Sequence, residues 1–213
     1  LCARGTKLII TVDCGINAFE SALQARESGA DLIITDHHQL TGDGIPPAAA
    51  VVNPHRPDDT YPFKDLTGVG VAFKLVQALM PVIASGTPRG NPNEIRPPGL
   101  TPDFERTKSF RAGRSGEVGQ VASANMPRND LAPGYEKWLL DLVAIGTVAD
   151  CQSLLGENRI LVKWGLHVLG KTRWIGLKKL IKLAGIAKQD LDTYKIGFII
   201  APRLNAAGRM EHA

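Results

Sequence analysis

Cysteine is scarce: Cys2, Cys14 and Cys151 are the only three in 213 residues, and no two form a CxxC pair. An odd, unpaired set supports neither a disulfide framework nor a structural zinc cluster, so a reducing, cytoplasmic setting is expected. No apolar run approaches the roughly 20 residues that a membrane helix needs, and no membrane partner is expected. A charged-then-apolar leader is also missing, so nothing argues for secretion. The chain opens on Leu1 rather than Met and reads as an internal piece of a longer protein. What is present is ordinary for a soluble domain: 44% apolar and 22% charged residues exclude wholesale disorder.

Net charge is +4, unevenly spread. Residues 1–85 carry −3, 86–130 carry +2, 131–157 carry −3 and 158–213 carry +8. Acidic segments followed by a basic quarter suit a polyanionic substrate drawn to a cation-loaded acidic site, although lysines on solvated helix faces would give the same count.

KLIITVD (7–13) is an apolar, β-branched run ending in a carboxylate. Asn17 can cap a helix with Ala18, Ala22 and Ala25 on one face, which Gly29 stops. DLIIT (31–35) follows at once, giving a βαβ unit and a parallel sheet with a right-handed crossover. AAAVVN (48–53) reads as a further buried strand. Residues 67–85 read as a helix with Val69, Ala72, Phe73, Val76 and Leu79 inward. Residues 86–130 hold six Gly and six Pro and read as a flexible insertion. Helices are expected again over 135–150, over 157–170 with Ile160, Leu161, Trp164 and Val168 inward, and over 173–184 with Ile175, Leu180, Leu183 and Ala184 inward. A last element near 193–201 runs into a helix starting in PRLNAAGRM. The fold class is α/β: an α/β part over 1–85, the insertion over 86–130, and a helical remainder over 131–213.

Asp13 closes the first strand, and Asp36-His37-His38 closes the second. Side chains at the carboxyl ends of neighbouring parallel strands converge on one crevice, so these residues should share a site. A carboxylate beside imidazoles suits a divalent cation, with the nitrogen donor shifting preference from magnesium towards manganese. Adjacent histidines leave the chain on alternate sides, which predicts one metal ligand and one residue aimed at substrate. Asp150, ending an apolar helix, is a third carboxylate. Singly each has a bland explanation as a turn former or helix-end polar residue; together at element ends they point to a site. Cys14 and Cys151 each follow one of these carboxylates, a setting that opposes thiolate activation. GVG (68–70) opens a helix without a following GK[ST], so it is no P-loop, although its amides could hold a phosphate.

TVDCG (11–15), DHH (36–38), GVGVAFK (68–74), GTVAD (146–150), GENR (156–159) and APRLNAAGRM (201–210) stand in the order found in the RecJ family. The chain resembles that branch of the DHH phosphoesterase superfamily, bacterial 5′→3′ exonucleases specific for single-stranded DNA that act in repair and recombination. The resemblance implies a phosphoesterase lobe leading to an interlobe helix, and two-metal hydrolysis of phosphodiesters with Mn2+ or Mg2+. By position, Asp13, His37 and Asp150 match metal ligands. His38 matches the histidine facing the scissile phosphate, with Asp36 supporting it, and Arg203, Asn205 and Arg209 match residues near the DNA backbone. Implied partners are single-stranded DNA, a single-strand-binding protein and a helicase. The resemblance also implies further ligands on an aspartate-rich strand end before Leu1 and a substrate-gripping lobe after Ala213, so this piece alone is expected to be inactive. CQSLL (151–155) departs from a more apolar, proline-containing stretch of the family. Competing readings are a small-molecule phosphoesterase, acting on pyrophosphate or dinucleotides, and a non-catalytic nucleic-acid-binding relative.

Overall fold

In the computed structural model, residues 5–42, 44–85 and 134–210 are described, with backbone alone for 81–85 and 207–210. The 86–130 segment and the side chain of Arg209 lie outside the described residues.

The β-branched runs form strands β1 (Leu8–Val12), β2 (Asp31–Thr35) and β3 (Ala50–Val52), which pair in parallel in the order β1-β2-β3. Helix α1 (Phe19–Glu27) makes the first crossover and buries Ala22 and Ala25. Ala22, Leu32 and Ile34 form a small core beneath the sheet. Gly29 takes a positive φ of 73°, which ends α1 tightly enough for β2 to start two residues later. Asn17 is not the cap expected of it. The cap position falls to Ala18, which has no side-chain hydrogen bond. Asn17 instead donates from Nδ2 to the Gln39 carbonyl at 2.9 Å and accepts from the Thr41 amide at 3.0 Å, tying the turn after β1 to the loop after β2.

The helical part follows. Helix α2 spans Gly68–Ser85; a 3₁₀ turn (Tyr135–Leu139) leads into α3 (Leu140–Ala149); then come α4 (Gly156–Leu169) and α5 (Ile175–Leu183). A short 3₁₀ turn (Lys188–Asp190) precedes α6 (Thr193–Lys195), which continues through a π-helical segment (Ile196–Ile200) into α7 (Ala201–Met210). Leu66, Val71, Phe73, Val143 and Leu161 pack α2 against α3 and α4. Ala144, Ile145, Leu169, Leu177, Ile181, Ile196 and Ile200 form a second core among the later helices. No helix among the described residues is long and apolar enough to cross a membrane.

Three helix faces differ from the periodicity reading. On α2, Val71, Phe73, Ala78 and Met80 are buried and Leu79 is exposed. On α4 the inward positions are Asn158, Leu161, Val162, Gly165 and Leu169, while Ile160 and Trp164 are exposed. On α5, Leu177 and Ile181 are buried, whereas Ile175 and Leu183 are 70% and 86% exposed. These helices carry more apolar residues than one face can bury, so the pattern alone did not define the contact. On α4 the close approach at Gly165 and the buried Asn158 did.

Asp141 is such a group. Its carboxylate is almost fully buried at the start of α3 and accepts from Thr172 Oγ1 at 2.6 Å, the Leu142 amide at 2.8 Å and Trp174 Nε1 at 3.3 Å. It thereby fixes the α4–α5 turn onto α3. Asp141→Ala leaves a buried hydroxyl and an indole N–H without their acceptor and is expected to destabilise the chain by about 3 kcal/mol. Asp141→Asn, which keeps an acceptor, should cost roughly half of that; urea unfolding measures both.

Candidate metal centre at the carboxyl end of the sheet

The ladder itself positions the site. The Asp13 amide donates to the Thr35 carbonyl at 2.9 Å and the Asp36 amide to the Val52 carbonyl at 3.0 Å, so pairing runs one residue past each strand. Asp13 and Asp36 therefore leave adjacent strands at the same end. The backbone turns sharply there: Asp13 has φ 62° and Cys151, after Asp150, has φ 57°. These are the only non-glycine residues with positive φ among the described residues. Such conformations cost on the order of 1–3 kcal/mol and cluster at functional sites.

Three groups expected to share a site are brought together. His37 Nε2 lies 3.1 Å from Asp13 Oδ1 and 3.5 Å from Asp150 Oδ2. The imidazole is buried, while the two carboxylates open towards solvent. Burial pushes the Asp150 carboxyl above the usual carboxylate range, and Asp13 adds to the rise against the opposing pull of His37 and His38. The Asp13 carboxylate and the His37 nitrogen are donors that suit a divalent cation, and Asp150 adds a second carboxylate against His37. Ligand atoms of Asp13, His37 and His38 also lie within 4.8 Å of one another, so His38 stands close enough to share an ion.

Asp36 faces inward and organises the triplet. Burial alone would raise its carboxyl. The Ile16 amide at 2.9 Å, His38 Nδ1 at 2.6 Å and the amides of His37 and His38 together hold it below its ordinary value. The His38 Nδ1–Asp36 bond raises the His38 imidazole from its ordinary value, against the opposing effect of burial. Asp36→Asn removes that charge, so the His38 titration midpoint should fall towards the ordinary histidine value, as histidine NMR against pH will register.

Two neighbours were not singled out in the sequence. Asn53, fully buried at the end of β3, donates to the His38 carbonyl at 2.9 Å and accepts from the His55 amide at 2.8 Å. His55 Nδ1 in turn lies 3.0 Å from Gln39 Nε2. The strand-end rule that pointed to Asp13 and Asp36 applies equally to Asn53 and could have found it. Arg203 and Asn205 make no hydrogen bond or ion pair with the cluster among the described residues. Both are exposed on α7, and Arg203 donates to the Ile199 carbonyl one turn back at 2.8 Å. Cys14 and Cys151 are exposed, free thiols.

Residues 3–97 match the model of the DHH family, N-terminal domain. Across 210 residues the chain is 40% identical to the single-stranded-DNA-specific exonuclease RecJ of Bacillus subtilis, covering 99% of this chain and 20% of that protein. It is 38% identical to the Escherichia coli RecJ over 211 residues, 98% of this chain and 30% of that one. A crystal structure of exonuclease RecJ bound to manganese aligns with TM-score 0.64 at 30% identity, over 97% of this chain and 40% of that chain. The chain is similar to RecJ over nearly its whole length, and its residues 3–97 match the DHH model. The RecJ of Thermus thermophilus in complex with Mn2+ aligns equally well, with TM-score 0.64 and 31% identity over 97% of this chain and 24% of that one. The RecJ-like fold is thus α/β, a parallel three-stranded sheet followed by helices. The chain spans 20–30% of the length of these curated relatives.

Proposed function

We propose that the protein containing this chain is a metal-dependent exonuclease that degrades single-stranded DNA from the 5′ end in cytoplasmic repair and recombination. One observation carries the reading: the buried His37 Nε2 stands 3.1 and 3.5 Å from the carboxylates of Asp13 and Asp150 at the end of the sheet. Asp13, His37 and Asp150 hold Mn2+ or Mg2+. When bound, such ions lower the pKa of water and offset charge on the phosphoryl oxygens. Asp36 orients His38, whose Nε2 is presented to the phosphate as a charged donor. The raised titration of His38 keeps that donor protonated further up the pH scale than an ordinary imidazole. Arg203, Asn205 and Arg209 contact the DNA backbone, and the +8 segment supplies attraction for a polyanion. The 1–85 part and the 131–213 helices form one catalytic unit interrupted by 86–130. A single-strand-binding protein and a helicase are the proposed partners.

The test uses the intact protein with Mn2+ on 5′-labelled and 3′-labelled single strands, matching duplexes, pyrophosphate and dinucleotides. Release of labelled mononucleotide from the 5′-labelled single strand first, with little duplex cleavage, is expected. A strong preference for pyrophosphate would establish the small-molecule phosphoesterase instead.

A further inference from the structure

GVGVAFK (68–74), GTVAD (146–150) and GENR (156–159) contribute only Asp150 to the cluster, yet they meet at the first turn of α2. A methyl group on Gly68 would fall inside contact distance of Oδ1, Cγ and Cβ of Asp13, so the Asp13 side chain rests directly on the glycine α-carbon. The next residue touches the support of the other carboxylate. A methyl on Gly146 of α3 would stand 2.7 Å from Val69 Cγ1, so α3 lies hard against Val69 four residues before Asp150. Thr67 Oγ1 and Thr147 Oγ1, both buried, are 3.2 Å apart and join the same two segments.

This turn is itself firmly seated. Tyr61 donates to Glu157 Oε2 at 2.6 Å, and Lys74 pairs with Glu157 Oε1. Asn158 Nδ2 donates to the Asp65 carbonyl at 2.6 Å. Phe63 fills the space beside Gly156, where a methyl would meet its ring at 2.6 Å. The start of α4 therefore clamps the loop that leads into α2 through two hydrogen bonds and holds α2 itself through the Lys74–Glu157 pair.

We propose that the first turn of α2, through Gly68 and Val69, is the spacer that sets the separation of the Asp13 and Asp150 carboxylates around His37. The inference rests on the metal-site reading above and makes Gly68 a positioning residue. Its requirement is not conformational freedom, since it opens α2 without a positive φ. It is the absence of a side chain where the Asp13 carboxylate must lie.

The experiment measures Mn2+ affinity by electron paramagnetic resonance, together with the thermal midpoint, in the intact protein carrying Gly68→Ala. Gly176→Ala on α5, with nothing near its added methyl, is the control. Gly68→Ala is expected to weaken Mn2+ binding by about 10–100-fold, the loss typical when support of a metal ligand is disturbed, without the control showing any change. A purely local helix role predicts unchanged affinity and an unchanged or higher midpoint. Should Gly68→Ala not fold, the compensating pair decides. Gly146→Ala should weaken binding, and adding Val69→Ala, which removes the obstructing methyl, should restore most of it. Wild-type affinity in Gly68→Ala, or in Gly146→Ala, overturns the spacer. If wild type itself binds no Mn2+, or binds it unchanged after Asp13→Asn, the metal reading falls and the spacer with it. If Asp13→Asn abolishes binding while Gly68→Ala does not touch it, the spacer alone is wrong.

Discussion

On the proposed function, His37→Ala is expected to abolish Mn2+ binding at this site and to lower exonuclease activity of the intact protein on the order of 10³-fold, the rate equivalent of several kcal/mol of lost charge stabilisation. The imidazole is buried and lies within 3.5 Å of both carboxylates, which are partly exposed. Removing it takes away the nitrogen donor that both carboxylates approach. His38→Ala provides the contrast. Its imidazole is 56% exposed and anchored by Asp36 rather than by Asp13 or Asp150. That variant should retain most Mn2+ affinity while losing about 10²-fold in kcat, the loss expected of an electrostatic donor rather than a ligand. Spin-resonance titration and steady-state kinetics on the two variants separate the roles; equal loss of Mn2+ affinity in both would make His38 a ligand as well.

Gly165→Val is expected to destabilise the fold by about 3 kcal/mol, at the upper end for overpacking a close contact. A methyl at 165 would already overlap the Leu140 carbonyl oxygen and Ala144 Cβ, so α3 and α4 meet almost backbone to backbone. Neither the carbonyl nor Ala144 can rotate aside, and the helices must separate. Because Asp150 caps α3, the displacement reaches the cluster as well. Urea unfolding should show a lower midpoint at unchanged slope for Gly165→Val, with Gly165→Ala falling between it and wild type. An unchanged midpoint would mean that the helix pair is looser than its geometry indicates.

The sheet and the convergence of Asp13 with His37 at its carboxyl end were legible because their signals are local. Strand runs ending in Asp13 and Asp36, joined by one helical crossover, leave a single parallel arrangement, and the arrangement observed has Leu8 opposite Asp31 through Val12 opposite Thr35. The helices were less legible. Ile160, Trp164, Ile175 and Leu183 had the right spacing for a buried face and lie at the surface. The true contacts run through Gly165, Asn158 and Leu177, two of which carry no hydrophobic signal. Asn17 illustrates the same limit: its identity suits a cap, but its amide has better partners in the loop after β2.

The amino-acid order alone determined the parallel α/β start, the carboxylates and imidazoles at the strand ends, and the basic final quarter. Those follow from period, chain direction and charge, which need no neighbours. Tertiary structure decided which helix faces are buried and that Asp150 reaches His37 from more than a hundred residues away. These depend on how closely backbones can approach, a quantity fixed only when Gly68, Gly146 and Gly165 meet the particular atoms packed against them.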